Sequence, residues 1–394
     1  MQTSRRDIFL LACCQALLLT NASGLISMNG LVGFSLAHNK SLATFGATTY
    51  VLGSALAAMP MALWMAKVGR RTGFMTGAAI NVVGCIVGAF ALQWHSFPLF
   101  CVATGIIGVY NAIGLQYRFA AAEVAAPEHR ARAISLVLAG GVVGGLIGPQ
   151  ATRFTRDLFA TPFQGSLVML ALVAFIALAV QSQVRVPRPS LDERTGKGRP
   201  LSVIVRQPAF IVAVLAAALG YGLMNLLMTA TPIAMDFCGH PFSAAAWVIE
   251  WHVVAMFAPG FVTGSLIRRF GKLPVILAGV AMTAIAVVVA LDGISVAHFV
   301  AALALVGVGW NFMYTGGTTL LTETYEPNEK ARTQGLNDFI VFATMGVSSV
   351  ASGALVTTTG WQTMNRAALP ILAVIAVAVL WLMWMRRGPP VAPA

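Results

Sequence analysis

A chain of 394 residues that is 58% hydrophobic and only 10% charged, with a mean hydropathy of +0.81, is too apolar for a water-soluble fold and reads as a polytopic membrane protein. Its formal net charge of +12 would suit a nucleic-acid binder if the cations formed one patch. They recur instead in bands between apolar stretches, which excludes nucleic acid as a partner and makes the charge a topology signal.

A bilayer span takes about 20 mostly apolar residues. Stretches of that kind follow in chain order at roughly 8–35, 42–66, 73–94, 97–122, 130–152, 163–184, 209–236, 243–267, 273–292, 296–321, 333–356 and 367–385. They predict twelve transmembrane helices. The first follows Arg5 and Arg6. It is longer than a signal-peptide apolar region and lacks a small-residue cleavage site, so it is read as a membrane helix. With the N-terminus inside, 21 of the 25 Lys and Arg fall on the inner side, and only Lys40, Arg153, Arg156 and Arg366 fall outside. That bias predicts two cytoplasmic termini. The five cysteines (Cys13, Cys14, Cys85, Cys101, Cys238) are scattered and form no disulfide framework.

The two halves repeat at an offset near 200 residues. Gly69-Arg70-Arg71 after the second stretch matches Phe270-Gly271-Lys272 after the eighth, and Tyr110-Asn111 matches Trp310-Asn311. Glu123, Pro127, Arg130, Ala131 and Arg132 match Glu323, Pro327, Lys330, Ala331 and Arg332. Residues 185–208 between the halves carry Pro187, Pro189, Pro200 and mixed charge, including Arg188, Arg194 and Lys197. The expected organisation is a six-helix bundle at 1–184, a cytoplasmic linker at 185–208, a second six-helix bundle at 209–386 and a cytoplasmic tail at 387–394 that includes Arg387.

This parallel repeat resembles the major facilitator superfamily of transporters. The resemblance covers the whole chain and implies an all-α membrane fold of two pseudo-symmetric halves. Residues 62–71 resemble the family's signature loop, with Ala66 at its acidic position; in the second copy that position is Arg268. No G-x-x-x-x-G-K-[S/T] exists, and the glycines at 140–148 are read as helix-packing positions rather than a phosphate loop. The chain is therefore expected to be a transporter rather than an enzyme, with no permanently bound cofactor, acting as a monomer in a lipid bilayer.

Two residue pairs bear on the cargo. Met224 and Met228 in the seventh stretch, and His252 and Met256 in the eighth, each have i, i+4 spacing and share one helix face. Thioethers with imidazole suit Cu(I), and a histidine inside a membrane helix is a functional candidate. Packing explains the methionines equally well, since Met61 and Met65 show the same spacing with no evident purpose. Residue chemistry alone leaves both readings open. Residues 221–260 resemble the CcoA-type copper importers, a branch that also contains riboflavin-type transporters. The resemblance implies that Met224, Met228, His252 and Met256 handle copper, as free ion or chelate. The cargo would be copper brought across the bacterial inner membrane by alternating access for assembly of a haem–copper oxidase. Met28 and Cys238 are further metal candidates, against core packing for Met28 and a solvated loop for Cys238.

The alternative cargo is a small organic solute such as riboflavin, with Tyr110, Asn111, Trp310, Asn311 and Tyr314 lining the cavity, since aromatics with amides suit a planar polar ligand. A third reading is a copper-holding sensor or assembly factor, which no soluble domain supports. Arg118, Asp338 and Glu250 are candidates for coupling or gating. Arg118 needs a partner wherever it is buried. Asp338 lies at similar depth in the other half, whereas Glu123 or a backbone carbonyl would serve within its own. Glu250 points about 200° away from His252 on a helix of 3.6 residues per turn.

Overall fold

The computed structural model describes residues 4–39, 42, 45–187 and 198–386, apart from the side chain of Phe242. Lys40, Arg188, Arg194, Lys197, Arg387 and the expected tail at 387–394 lie outside the described residues. Hydrocarbon offers backbone N–H and C=O groups no outside partner, so the chain satisfies them within helices. Among the described residues twelve helices are long and apolar enough to cross a membrane: α1 (Arg5–Leu36), α2 (Phe45–Val68), α3 (Arg70–Gln93), α4 (Phe97–Val124), α5 (Pro127–Thr155), α6 (Gln164–Gln181), α7 (Pro208–Phe237), α8 (Ser243–Phe270), α9 (Lys272–Asp292), α10 (Val296–Leu321), α11 (Lys330–Thr358) and α12 (Gly360–Arg386). The apolar stretches thus mark every span, and the ends differ by a few residues in either direction. Ser4 caps α1 by accepting from the Asp7 N–H at 3.3 Å, and Ser96 caps α4 by accepting from the Leu99 N–H at 3.4 Å.

The prolines act unequally. Pro232 lies inside an unbroken α7. Pro259 lies in a turn at 258–259 that interrupts α8, where its missing N–H removes a helical hydrogen bond. A similar turn at Leu115-Gln116 interrupts α4.

The repeat is visible in packing. In the first half α3 packs on α4 and α6; in the second α9 packs on α10 and α12. Likewise α1 packs on α4, α5 and α6, and α7 packs on α10 and α12. Small residues allow these approaches. A Cβ added to Gly140, Gly144 or Gly148 of α5 would strike the backbone of α1 at Ala12, Ala16 and Thr20, so this stripe packs helices. Two compact units result. One comprises residues 1–198, 257–264 and 326–346; the other comprises residues 199–256, 265–325 and 347–394.

The two signature loops share one backbone conformation. Gly69 precedes α3 at φ 91°, ψ 156°, and Gly271 precedes α9 at φ 90°, ψ 165°. Only glycine adopts that region without strain. Gly69→Ala and Gly271→Ala should each destabilise the detergent-solubilised protein by on the order of 1–3 kcal/mol, read as a lower thermal midpoint. A control Gly30→Ala, where a Cβ meets nothing within 4 Å, should cost no stability.

Candidate functional sites

The first site is a polar cluster inside the first compact unit, where charge is buried. The turn at Leu115-Gln116 exposes the Leu115 carbonyl, and the Arg118 guanidinium donates to it at 2.8 Å. Its other arm pairs with the Asp338 carboxylate of α11. Both side chains are only 1% exposed. Asp338 also accepts from the Gln116 side-chain amide at 2.6 Å and from Asn337 at 3.0 Å. The Gln116 carbonyl in turn accepts from Arg70 at 2.8 Å. Arg70 binds Glu123 at 2.8 Å and Gln334 of α11 at 2.5 Å. Lys330 lies 3.8 Å from Glu123.

One amide, Gln116, therefore joins two ion pairs, donating to the anion of one and accepting from the cation of the other. Arg118 uses both partners considered from its sequence, a carbonyl in its own half and Asp338 in the other. Glu123 belongs to Arg70 and Lys330. The second repeat has a counterpart: Lys272, which follows Gly271 as Arg70 follows Gly69, pairs with Glu323, and Arg386 joins it at 3.0 Å. That copy is solvent-accessible, with Glu323 35% exposed.

The second site lies in the second unit, where α7 meets α10. The Trp310 and Tyr314 rings, one turn apart on α10, stack with centroids 5.0 Å apart and planes 15° apart. Tyr221 of α7 sets its ring edge-on to both, at 5.2 and 5.4 Å. Tyr221 is half-buried, and the α10 rings are covered. Tyr221 escaped the sequence reading. Its position one turn before Met224, on a helix already singled out, was the available signal.

The residues predicted to hold metal are anchored by packing. The His252 ring is fully buried. Its Nδ1 lies 2.7 Å from the Leu303 carbonyl of α10. A carbonyl only accepts, so Nδ1 carries the proton and Nε2 the lone pair. Nε2 has no hydrogen-bond partner among the described residues. Met256 is buried, and its carbonyl accepts from Asn311 of α10 at 2.7 Å. Gly307 lets α10 approach this part of α8, since a Cβ there would lie 2.9 Å from the His252 carbonyl.

On α7, Met224 is buried and Met228 half-buried. Asn225 between them donates to Ser348 and Ser349 of α11, at 2.9 and 2.8 Å. The His252–Met256 pair is thus held on α10, and Asn225, between the two methionines of α7, is held by α11. Met28 sits in an apolar core with Leu25, Val32 and Phe100. Cys238 is half-buried at the end of α7 and the neighbouring His240 bonds the Ile294 carbonyl. No group of three or more His, Cys, Asp or Glu is arranged for a metal among the described residues. Glu250 is exposed on α8, between exposed Trp247 and Trp251. Tyr110 belongs to the core around Leu18, Phe74 and Tyr117, and Asn111 bonds Ser54 at 3.2 Å.

The sequence profile of the Major Facilitator Superfamily matches residues 9–259 and 225–394, and the chain belongs to this family. It is 40% identical over 380 residues to the riboflavin transporter RfnT of Brucella anthropi, covering 96% of each chain. It is 26% identical to the MFS-type transporter YddS of Bacillus subtilis, across 90% of this chain and 86% of that one. Its fold matches the E. coli fucose:proton symporter FucP, with a TM-score of 0.76 at 15% identity over 96% of this chain and 99% of that one. It also matches a bacterial homologue of the iron transporter ferroportin, with a TM-score of 0.74 at 13% identity over 97% and 100%.

These findings overturn the copper reading. A full-length relative at 40% identity is a riboflavin transporter, which favours the organic-solute alternative over copper as cargo. The physical reason for the error is that methionine and histidine at i, i+4 serve helix packing as readily as ligation. Here α10 holds His252 through Nδ1 and Met256 through its backbone carbonyl. Nε2 keeps its lone pair, so the relative, and not these contacts, overturns copper as cargo.

The buried ion pair yields a stability test. Asp338→Asn should leave Arg118 without its countercharge and lower stability by about 3–5 kcal/mol. Replacing both partners, Arg118→Met with Asp338→Leu, should recover most of that loss. Thermal denaturation of the purified variants measures both, and equal losses in the single and double variants would show that the pairing is not responsible.

Proposed function

We propose that the protein is a secondary-active carrier for a small planar organic solute of the riboflavin class. It works by alternating access in a bacterial inner membrane, with both termini cytoplasmic. The observation that carries this reading is the Tyr221–Trp310–Tyr314 cluster, in which one stacked and two edge-on ring contacts bring three aromatics to one place. Aromatic surfaces with a few polar groups suit a flat heterocycle. The relationship to RfnT supports the same substrate class. The band of Lys and Arg beside the α2–α3, α4–α5, α8–α9 and α10–α11 connections supports the orientation.

Uptake of labelled riboflavin by a host that cannot make it, with and without this chain, tests the substrate. Expression should confer uptake, and Trp310→Ala or Tyr221→Ala should raise the half-saturating concentration roughly two- to tenfold, the worth of one aromatic contact. Met61→Leu should leave uptake unchanged. Membrane-inserted protein with no riboflavin uptake removes the reading.

The Arg118–Asp338 pair is the inner gate of this carrier. It joins a helix of each half and separates when the carrier opens to the cytoplasm, biasing the two states by on the order of 1–3 kcal/mol. Arg118→Gln and Asp338→Asn should each lower uptake severalfold, and the exchange Arg118→Asp with Asp338→Arg should restore part of it. An exchange variant no better than the worse single variant discards the gate.

A further inference from the structure

Ser135 lies on α5, fully within the described part of the first compact unit, and is 1% exposed. Its hydroxyl donates to the Gly260 carbonyl and accepts from the Gly264 N–H at 3.0 Å. Those two backbone groups are four residues apart on α8 and pair with each other in a regular α-helix. The regular helix begins at Gly260, so these two groups also form its first turn, and Ser135 shares both of them with that turn.

The seam around it is made of backbone against backbone. A Cβ on Gly264 would strike the Arg132 Cα and lie 2.7 Å from the Ala131 carbonyl; one on Gly260 would lie 2.7 Å from the Ser135 carbonyl and 3.1 Å from the Ala139 Cβ. The turn at 258–259 with Pro259 stands immediately before this segment. Thr263 returns its own hydroxyl to the Pro259 carbonyl at 2.8 Å.

We infer that Ser135 is a positioning residue for transport: its hydroxyl is a releasable latch that holds the α5–α8 seam shut on the cytoplasmic side. The chemistry makes the latch reversible. When Ser135 withdraws, Gly260 and Gly264 keep the helical bond of their own turn, so no buried donor or acceptor on α8 is stranded. On α5 the freed hydroxyl has the carbonyl four residues back, at Ala131, as an alternative acceptor. Neither side is left with a stranded group, which a seam that opens in every transport cycle requires. The latch is separate from Arg118–Asp338, which binds α11 rather than α8. It rests on the alternating-access reading but not on the identity of the solute.

The test uses full-length protein with its five native cysteines replaced and Ala139→Cys introduced as a reporter. Ala139 is 1% exposed beside Gly260. Labelling by a membrane-impermeant maleimide is timed in inside-out and in right-side-out vesicles. Adding Ser135→Ala should speed labelling at least threefold in inside-out vesicles and not in right-side-out ones. Gly264→Ala, which wedges the seam and keeps the hydroxyl, should do the same. A merely structural loss would expose the reporter from both sides. Unchanged inside-out labelling in both variants, or equal acceleration from both sides, overturns the latch. The readout needs no substrate, so a negative riboflavin result leaves it decisive.

Discussion

Apolar surroundings make every polar group within a membrane span answer for a partner. In water an unpaired amide or guanidinium is solvated; in hydrocarbon its desolvation stands uncompensated. The helices satisfy the backbone, and the remaining polar side chains are then drawn together. Arg118 is the extreme case. It takes a carbonyl released by a turn in its own helix and a carboxylate from α11. Gln116, at that same turn, carries the connection on to Arg70 and Glu123. A local interruption of α4 thus organises a buried network that reaches two residues of α11, Gln334 and Asp338.

Close packing without an apolar driving force explains the glycines. Among lipid tails, burying one more leucine gains little, so helices associate where small residues let backbones touch. The Gly140, Gly144 and Gly148 stripe on α1 is one such seam, and Gly260 with Gly264 against α5 is another. The first contains Ser23, which bonds the Gly144 carbonyl at 3.0 Å and the Leu19 carbonyl of its own helix at 2.7 Å. The second contains Ser135, which bonds only the opposing backbone in the contacts described above. Both seams use a hydroxyl, but Ser23 also supports its own helix, whereas Ser135 bonds the backbone of its neighbour.

Much of this was legible in the sequence because it rests on composition. Twelve spans follow from apolar length, and the repeat follows from Gly69/Gly271 and Glu123/Glu323, whose conformations and ion pairs do correspond. The Arg118–Asp338 contact was one of two arrangements the sequence left open for a buried arginine, and the structure has it together with a carbonyl of the same helix. Tyr221 and Ser135 were not legible. A tyrosine and a serine in a helix have no preferred depth or partner, and their roles arise from which helix face meets which neighbour. The methionine and histidine spacing misled for a related reason. Spacing reports a shared face but not what that face touches, and here His252 meets the Leu303 carbonyl.

The contacts that α11 and α8 make with first-half helices divide the work by chemistry. Arg118–Asp338 is strong and hard to break in isolation, because either charge left alone in a dry site is costly. It can open only if water or another partner reaches it as it parts. The Ser135 contact with α8 needs neither, since the two backbone groups it holds also pair with each other in their own helix. A seam closed by hydroxyl and glycine can therefore yield before one closed by charge, and its opening would admit the water that the ion pair needs. If the carrier opens inward as proposed, that difference would let the α5–α8 seam part before the α4–α11 pair.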